Sequence, residues 1–572
     1  MNSIRKVISF LLALIIITAC ACVTAESVSW VCAECGKENT TKYCTKCGAK
    51  KPEDIVCPGC GMNYPADTDA VYCGECGTKL QQDSNEDSAF TYEGKGFKTA
   101  EEAVLCYLAG IKNLDLAQTL SAFAWETQAD HYDFKAFLSR VKQINPAMVP
   151  GMPVFNDLSR SVMLEQIRYS QTNYICRALE NYINSEMTSS GTGALVFTED
   201  NPFDEYMARC DNGRIDNLAA MKNIRFYDLD DVTEGKYSSE PIQKFYVPRN
   251  AVYGADETKD VFAAVDIGTE TYAITPTAAR YGDRWYIVSS NSLIADIYGI
   301  ITNAKAFFEL PVEMKEQLNS VTPVAQVDVL PGNSARAVSY EGEGFESPEE
   351  AVNCYFSGLR DGNVTQMMKA FAWETQASHY SLKDYADWTQ SINQNAPVRM
   401  IIDNPLMNGI NLNSLRYNQS RRIYFAIRYY ILKDDSRYEE LLNGYMMDMK
   451  EEEEIDAFIQ VFDNENAGKL KTIHNIRLID PAKVIKNYNK DTAAKRMEAF
   501  QKIYGADELK DVLAAADVDG EILVINPMIA RYGDKWYMVS VDGTAFSFLG
   551  IEAQKAALLC VNESDELASL LK

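Results

Sequence analysis

Residues 122–129 read Ala-Phe-Ala-Trp-Glu-Thr-Gln-Ala, and residues 370–377 read the same eight again. The match runs outward from this stretch. His131-Tyr132 returns as His379-Tyr380. Upstream, Tyr92-Glu93-Gly94-Lys95-Gly96-Phe97 returns as Tyr340-Glu341-Gly342-Glu343-Gly344-Phe345. The offset is 248 and still holds at Tyr169 and Tyr417. Further on, Tyr253-Gly254-Ala255-Asp256-Glu257 returns at 504–508, and Arg280-Tyr281-Gly282-Asp283 at 531–534, with an offset of 251. Three net residues therefore enter between Tyr417 and Tyr504. A period this long marks a duplicated domain, because solenoid repeats run only about 20–50 residues.

Each copy has the same local grammar. Thr99-Ala-Glu-Glu102 and Ser347-Pro-Glu-Glu350 are capping boxes. Their hydroxyl satisfies the amide three residues on, and the Glu reaches back to the cap. Pro348 stands at the first helical position, where its missing N–H is harmless. Val104, Tyr107, Leu108 and Ile111 then follow helical spacing, as do Val352, Tyr355, Phe356 and Leu359. A second helix is expected from Asp115 and from Asn363, with aromatic-rich helix around 169–182 and 417–432. The end of each copy changes period. Residues 262–267 and 272–274 read as strands. Tyr281-Gly-Asp-Arg284 reads as a two-residue hairpin turn in which Gly282 supplies positive φ, and Gly533 repeats it. Final helices are expected near 296–319 and 550–571. Helices followed by an antiparallel sheet give an α+β class.

The N-terminal region is different. Cys32-x-x-Cys35 and Cys44-x-x-Cys47 form one set, and Cys57-x-x-Cys60 and Cys73-x-x-Cys76 another. Two residues between cysteines make a tight knuckle that aims both sulfurs at one point, as tetrahedral zinc requires. A glycine follows every pair, which lets backbone amides turn toward the thiolates. So small a segment needs a staple to fold. Two structural zinc ions are the expected cofactors, and the alternative is a disulfide framework. Four protein ligands per ion leave no open position for catalysis. Cys106 and Cys354 read as small buried hydrophobes, and a Cys176–Cys210 bridge is possible.

The chain has 572 residues, room for several domains at roughly 150 residues each. Its net charge is -26, which argues against nucleic acid, since phosphate binding needs clustered positive charge. At the N-terminus, Arg5 and Lys6 precede an apolar run over 7–19, and Val23-Thr-Ala25 offers a cleavage site. Export is the expectation. The run is short of the about 20 apolar residues of a membrane span. Membrane contact would come only through this segment, uncleaved or lipidated. Ile17-Thr-Ala-Cys20 resembles the lipobox of bacterial lipoproteins, which implies lipidation at Cys20; Ile17 departs from the usual Leu. The expected divisions are 1–25 signal peptide, 26–51 and 52–80 zinc ribbons, 81–89 linker, 90–320 first α+β repeat, 321–337 linker and 338–572 second repeat.

Two resemblances extend this reading. Residues 30–80 resemble tandem, double zinc ribbons. Ala100 to Asp115, together with the terminal Tyr281-Gly-Asp-Arg-Trp-Tyr, resembles the nuclear transport factor two-like superfamily. That resemblance implies a cone of helices against a curved sheet with a central pocket. It covers the start and end of each repeat, and the long helical middle goes beyond it. The whole order is similar to Gram-positive envelope proteins that join a zinc ribbon to such domains. Those place a membrane segment after the ribbon, whereas here the apolar segment comes first.

Candidate pocket residues are Trp125, Glu126 and His131, with Trp373, Glu374 and His379. A Glu–His pair in a pocket can perform acid–base chemistry. Against that, Phe123 and Trp125 read as core, and Glu126 and His131 are five apart, off one helical face. No catalytic residue is assigned. The chain has no phosphate loop, H-E-x-x-H helix or G-x-S-x-G elbow. The expected function is a secreted or cell-surface, non-enzymatic, zinc-binding scaffold or binding protein. Its partner would be an unidentified protein or envelope ligand. The alternatives are a hydrolase- or isomerase-like enzyme using the Glu/His pairs, and a spacer without ligand.

Overall fold

The computed structural model describes residues 30–31, 38–39, 55–56, 63–64, 93–138, 156–183, 202, 204–205, 213–246, 249–297, 300, 306–328, 330, 340–381, 383–385, 388, 405–432, 452–460, 465–486, 488–549, 558–562 and 566–571. The export segment, the eight cysteines, Cys210 and the 81–89 linker lie outside them. The chain divides into two compact units, Met1–Ala89 and Phe90–Lys572.

The first unit contains two short hairpins. β1 (Trp30–Val31) pairs with β2 (Glu38–Asn39), and β3 (Ile55–Val56) with β4 (Asn63–Tyr64), both antiparallel. Trp30 faces Asn39 and Ile55 faces Tyr64. The registers are therefore identical at an offset of 25 residues.

The second unit holds both repeats. Repeat 1 opens with α1 (Ala100–Lys112), α2 (Leu116–Leu120) and α3 (Glu126–His131). Thr99 Oγ1 accepts from the Glu102 amide at 3.1 Å, and Asp115 caps α2 through the Gln118 amide at 3.0 Å. The Glu102 carboxylate accepts from Lys98 N–H at 2.9 Å, one residue before the cap. The expected capping box is thus displaced by one position, and repeat 2 shows the same shift, Glu350 accepting from Glu346 N–H at 3.0 Å. A 27-residue helix, α4 (Asp157–Ile183), follows.

The sheet strands of repeat 1 are β5 (Lys222–Tyr227), β6 (Glu257–Asp260), β7 (Phe262–Ile267), β8 (Glu270–Ile274), β9 (Thr277–Tyr281), β10 (Arg284–Ser289), β11 (Phe308–Glu309) and β12 (Ala325–Val327). They form the orders β10-β9-β6 and β11-β8-β7-β5-β12. β6 runs into β7 through Val261, and β8 into β9 through Thr275-Pro276. Val261 N–H donates to Pro276 O at 3.0 Å across this joint. Proline has no N–H for the ladder, so the antiparallel surface bends there. Gly282 turns β9 into β10 at φ 62°, as its sequence demands.

Repeat 2 repeats the plan with α5 (Pro348–Arg360), α6 (Val364–Met368), α7 (Glu374–His379) and α8 (Pro405–Leu432). Its strands are β13 (His474–Ile479), β14 (Glu508–Asp511), β15 (Leu513–Val518), β16 (Glu521–Ile525), β17 (Met528–Tyr532), β18 (Lys535–Ser540) and β19 (Leu559–Asn562). Their orders are β14-β17-β18 and β13-β15-β16-β19. The class is mixed α+β with antiparallel sheets.

Three expectations change. The closing helix of repeat 1 is two short helices, Leu293–Ile297 and Val312–Leu318, separated by β11. Pro311 prevents one continuous helix and instead opens the second. The closing helix of repeat 2 is β19 plus Glu566–Leu571. The 321–337 linker contributes β12, whose Gln326 faces Arg225.

The repeats meet along α4 and α8, and the contacts are reciprocal. Ser161 Oγ of α4 accepts from Val364 N–H of repeat 2 at 2.7 Å. The equivalent pair is Gly409 of α8 and Leu116 of repeat 1, where a Cβ on Gly409 would lie 3.2 Å from Leu116 Cβ. Tyr169 and its counterpart Tyr417 meet edge to face, with centroids 5.2 Å apart. Residue i touches j while j′ touches i′, which is the pattern of a two-fold interface.

Candidate functional site

The repeated stretch that begins at Ala122 packs in the same way in both copies. Trp125 and Trp373 are fully buried and stack on Phe123 and Phe371, with centroids 4.8 and 4.9 Å apart. Each indole N–H donates backward, Trp125 to Leu120 O at 3.0 Å and Trp373 to Met368 O at 2.8 Å. Glu93 explains the upstream motif. Its carboxylate accepts from the Trp125 and Thr127 amides at 2.7 and 2.8 Å and from the Thr127 hydroxyl, closing the first turn of α3. Burial pushes the Glu93 carboxyl above its ordinary value despite these bonds. Glu341 plays the same part toward Thr375.

The candidate acid–base groups take separate partners. Glu126 pairs with Arg168 of α4. His131 Nδ1 lies 2.8 Å from Thr127 O, and its ring tilts on Tyr281 with centroids 5.0 Å apart. In repeat 2, Glu374 accepts from Tyr340 N–H at 2.5 Å, while His379 Nδ1 sits 2.8 Å from Thr375 O and its ring lies near Tyr532. Burial raises the Glu374 carboxyl. Gly254 and Gly505 explain why the Tyr-Gly-Ala segment recurs. A Cβ there would fall 1.8 Å from His131 O and 2.3 Å from His379 O, and both glycines have positive φ.

Large side chains occupy the space between helices and sheet. Tyr107, Phe123 and Phe307 fill repeat 1, and Tyr107 donates to Ala306 O at 2.9 Å; Tyr355, Phe356 and Phe371 fill repeat 2. Cys106 is buried, Cys354 half-buried and Cys176 buried.

A small cavity lies instead on the seam between repeats. It is lined by Trp125, Glu165, Arg168, Tyr340, Arg416 and Tyr417, among others, and its volume is about 20 Å³, room for a single water. Glu165 accepts from Arg168 Nη1 at 3.0 Å and lies 3.6 Å from Arg416 Nη2. Arg416 also covers the Tyr340 ring at 4.5 Å and the Trp373 ring at 5.5 Å. Burial pushes the Tyr340 hydroxyl up to about 12. Three of these groups are nearly sealed from water: Glu165 is 2%, Arg168 5% and Arg416 8% exposed.

A larger cavity of about 430 Å³ opens on repeat 1, within the range of ligand sites. Tyr237 and Val324 are its partly open apolar side chains, while Phe226 and Phe262 lie buried behind it. Its walls carry Glu101, Asp228, Asp230, Glu257, Asp260 and Lys259; Glu257 lies 3.4 Å from Arg280, Asp230 accepts from the Ser238 amide at 2.9 Å, and Asp228 accepts from the Asp230 amide at 2.9 Å. Lys259 is drawn to Glu101, and Asp260 to Arg249 at 2.5 Å. Sequence reading missed this site because its carboxylates come from segments some 30 residues and more apart. Asp228-Leu-Asp-Asp231 beside an aromatic strand end was the one local signal.

No family model matches the chain, and no curated protein matches it. A solved structure is similar to it. That structure is a cystatin-like protein from Ruminococcus gnavus, 13% identical, covering 82% of this chain and 95% of its own, with a TM-score of 0.47.

Among the described residues, no group of three or more His, Cys, Asp and Glu is placed to hold a metal, and no helix is long and apolar enough to cross a membrane. The eight cysteines fall outside them. The hairpins bear on the zinc expectation all the same. Cys32 and Cys35 lie in sequence between β1 and β2, and Cys57 and Cys60 between β3 and β4, at the same offset of 25.

Proposed function

We propose that this is an exported, zinc-stapled binding or scaffold protein of the cell envelope or extracellular space, without catalysis of its own. The observation that carries the reading is the fate of the repeated motif. Glu93 and Glu341 cap helices, Glu126 is used by Arg168, and both histidines are spent on a backbone carbonyl and a tyrosine ring. These separate partners support the non-catalytic reading over an acid–base pair of Glu126 with His131 or of Glu374 with His379. Helices wrapped against a bent antiparallel sheet support a nuclear transport factor two-like assignment of each repeat. The buried Tyr107, Phe123 and Phe307, with Tyr355, Phe356 and Phe371, support a reading in which a ligand binds elsewhere than between helices and sheet.

Two structural zinc ions would be held by Cys32, Cys35, Cys44 and Cys47, and by Cys57, Cys60, Cys73 and Cys76. The equal hairpin registers support two equivalent metal modules. Four thiolates would neutralise and shield each ion, leaving the metal a purely structural part. Export supports a role outside the cytoplasm, and bound zinc would protect the thiols there. Elemental analysis of purified full-length protein tests this reading: about two zinc per chain is expected. Metal-free protein with all eight thiols oxidised would overturn it.

A further inference from the structure

The cavity on repeat 1 has an unusual lining. Six consecutive residues, Glu257 to Phe262, face it. Successive side chains of a strand point to opposite faces. A run of neighbours can line one cavity only where that cavity follows the strand's edge. β6 is indeed the last strand of the order β10-β9-β6. Val261 N–H bonds Pro276 O, and Lys259 pairs with Ala278. The alternation of an antiparallel ladder then turns the backbone groups of Thr258 and Asp260 away from β9. Among the described residues no strand pairs with this edge, and it borders the cavity and its carboxylates.

The second copy keeps Asp480, Glu508 and Asp511 at the places of Asp228, Glu257 and Asp260, and β14 is likewise an end strand, but it departs at other positions. Asp230 corresponds to Ala482 and Thr258 to Leu509. Lys510, the counterpart of Lys259, lies over the Trp536 ring at 4.4 Å. Val324, 65% exposed on the lip of the cavity, precedes β12, which has no counterpart among the described strands of repeat 2. Around this edge the copies therefore share most of their carboxylates and differ at Asp230, at Thr258 and in β12.

We propose that β6 is a docking edge for an extended basic peptide, which adds as a fourth strand and sets its Lys or Arg side chains among Asp228, Asp230 and Glu257. Main-chain bonds supply affinity in such strand addition, and alternate side chains supply choice. Apolar residues between the cations would rest on Tyr237 and the exposed Val324. The occupant is a segment of another polypeptide. This rests on the reading of the chain as a binding protein, and zinc analysis decides that reading separately.

The test uses full-length zinc-loaded protein and an acetylated, amidated Lys-Val-Lys-Val-Lys-Val peptide. Binding is measured in about 0.15 M salt, where attraction to the net charge is screened beyond about 8 Å. The expected result is one peptide per chain, with slowed amide exchange in residues 257–260. Asp230→Ala and Thr258→Pro each weaken binding at least about tenfold, whereas Leu509→Pro at the matching edge of repeat 2 leaves it unchanged. A peptide N-methylated at alternate residues fails to bind, and spermidine does not displace the parent. Equal binding by Asp230→Ala protein, equal binding of the methylated peptide, or displacement by spermidine overturns the proposal in favour of general charge attraction. So does absence of binding at about 1 mM peptide. Asp230→Ala introduces the residue that repeat 2 already carries, so it keeps the test decisive should Thr258→Pro fail to fold.

Discussion

Asp511 shows how one residue can change character after duplication. Its counterpart Asp260 faces Arg249, but repeat 2 has Phe500 where repeat 1 has Arg249. Asp511 relies on neutral donors, Asn526 at 2.6 Å and the Thr544 amide and hydroxyl. Burial raises its carboxyl above the ordinary value. A carboxyl raised on folding contributes stability that is fully present below the unfolded pKa and lost as pH rises through the folded one. Asp511→Asn should remove that decline. Denaturant unfolding from about pH 4 to pH 7 should show the wild type losing ground to the variant as pH rises; parallel curves would refute the assignment. Asp266 and Asp517 work in the opposite sense. Burial opposes them, yet Arg225 with Asn223, and Asn475 with Arg477, hold them below the ordinary value. Their contribution is lost as pH falls. Gly254 makes a second residue-scale case. Gly254→Ala sets a Cβ into His131 O at an unfavourable φ, which should cost on the order of 2 kcal/mol. Thermal unfolding measures it, and an unchanged midpoint would mean the close approach is not real.

The paired long helices hold a buried ionic centre. Removing one member of such a centre leaves a charge without compensation, typically at a cost of about 3–5 kcal/mol. Glu165→Gln should therefore destabilise the repeat seam by about that much, whereas Glu165→Gln combined with Arg168→Met should recover a large part. A double-mutant cycle in urea reads the coupling, and strict additivity would show that the two side chains do not interact. These elements were only partly legible in the sequence. α1, α5 and the Gly282 and Gly533 hairpins were readable because caps, helical spacing and turn residues are local signals. β11, β12 and β19 were not, because two to four residues carry little periodicity and their pairing partners lie 35 to more than 90 residues away. The candidate site was read less well than the fold. Glu126 stood out through its repetition, but its partner Arg168 lies 42 residues downstream. The acidic edge beside β6 gave only the short Asp228-Leu-Asp-Asp231 run, because its other carboxylates come from distant segments.

At the scale of the whole molecule, two kinds of cohesion operate in one chain. The unit from Phe90 to Lys572 has extensive hydrophobic clusters that draw on both repeats. The unit from Met1 to Ala89 has two-residue strands among its described residues and, on the zinc proposal, would depend on metal. A strong zinc chelator should unfold the smaller unit and leave the main thermal transition in place, since metal binding and folding are linked only where the ligands are. Calorimetry with and without chelator checks this, and a main transition shifted by more than a few degrees would count against independent units. The seam between the repeats carries a further consequence. Glu165 on one side faces Asn413 on the other, while Arg168 and Arg416 are retained on both. Two separate, identical subunits could not hold one carboxylate between two guanidinium groups, because whatever one supplies the other supplies too. Tethering removes that constraint and lets each flank mutate alone. It also sets the terms on which chains meet one another: pairing two second repeats would bring Arg416 against Arg416 with Asn413 in the place of Glu165, so the charge pattern favours a first repeat against a second over two second repeats together.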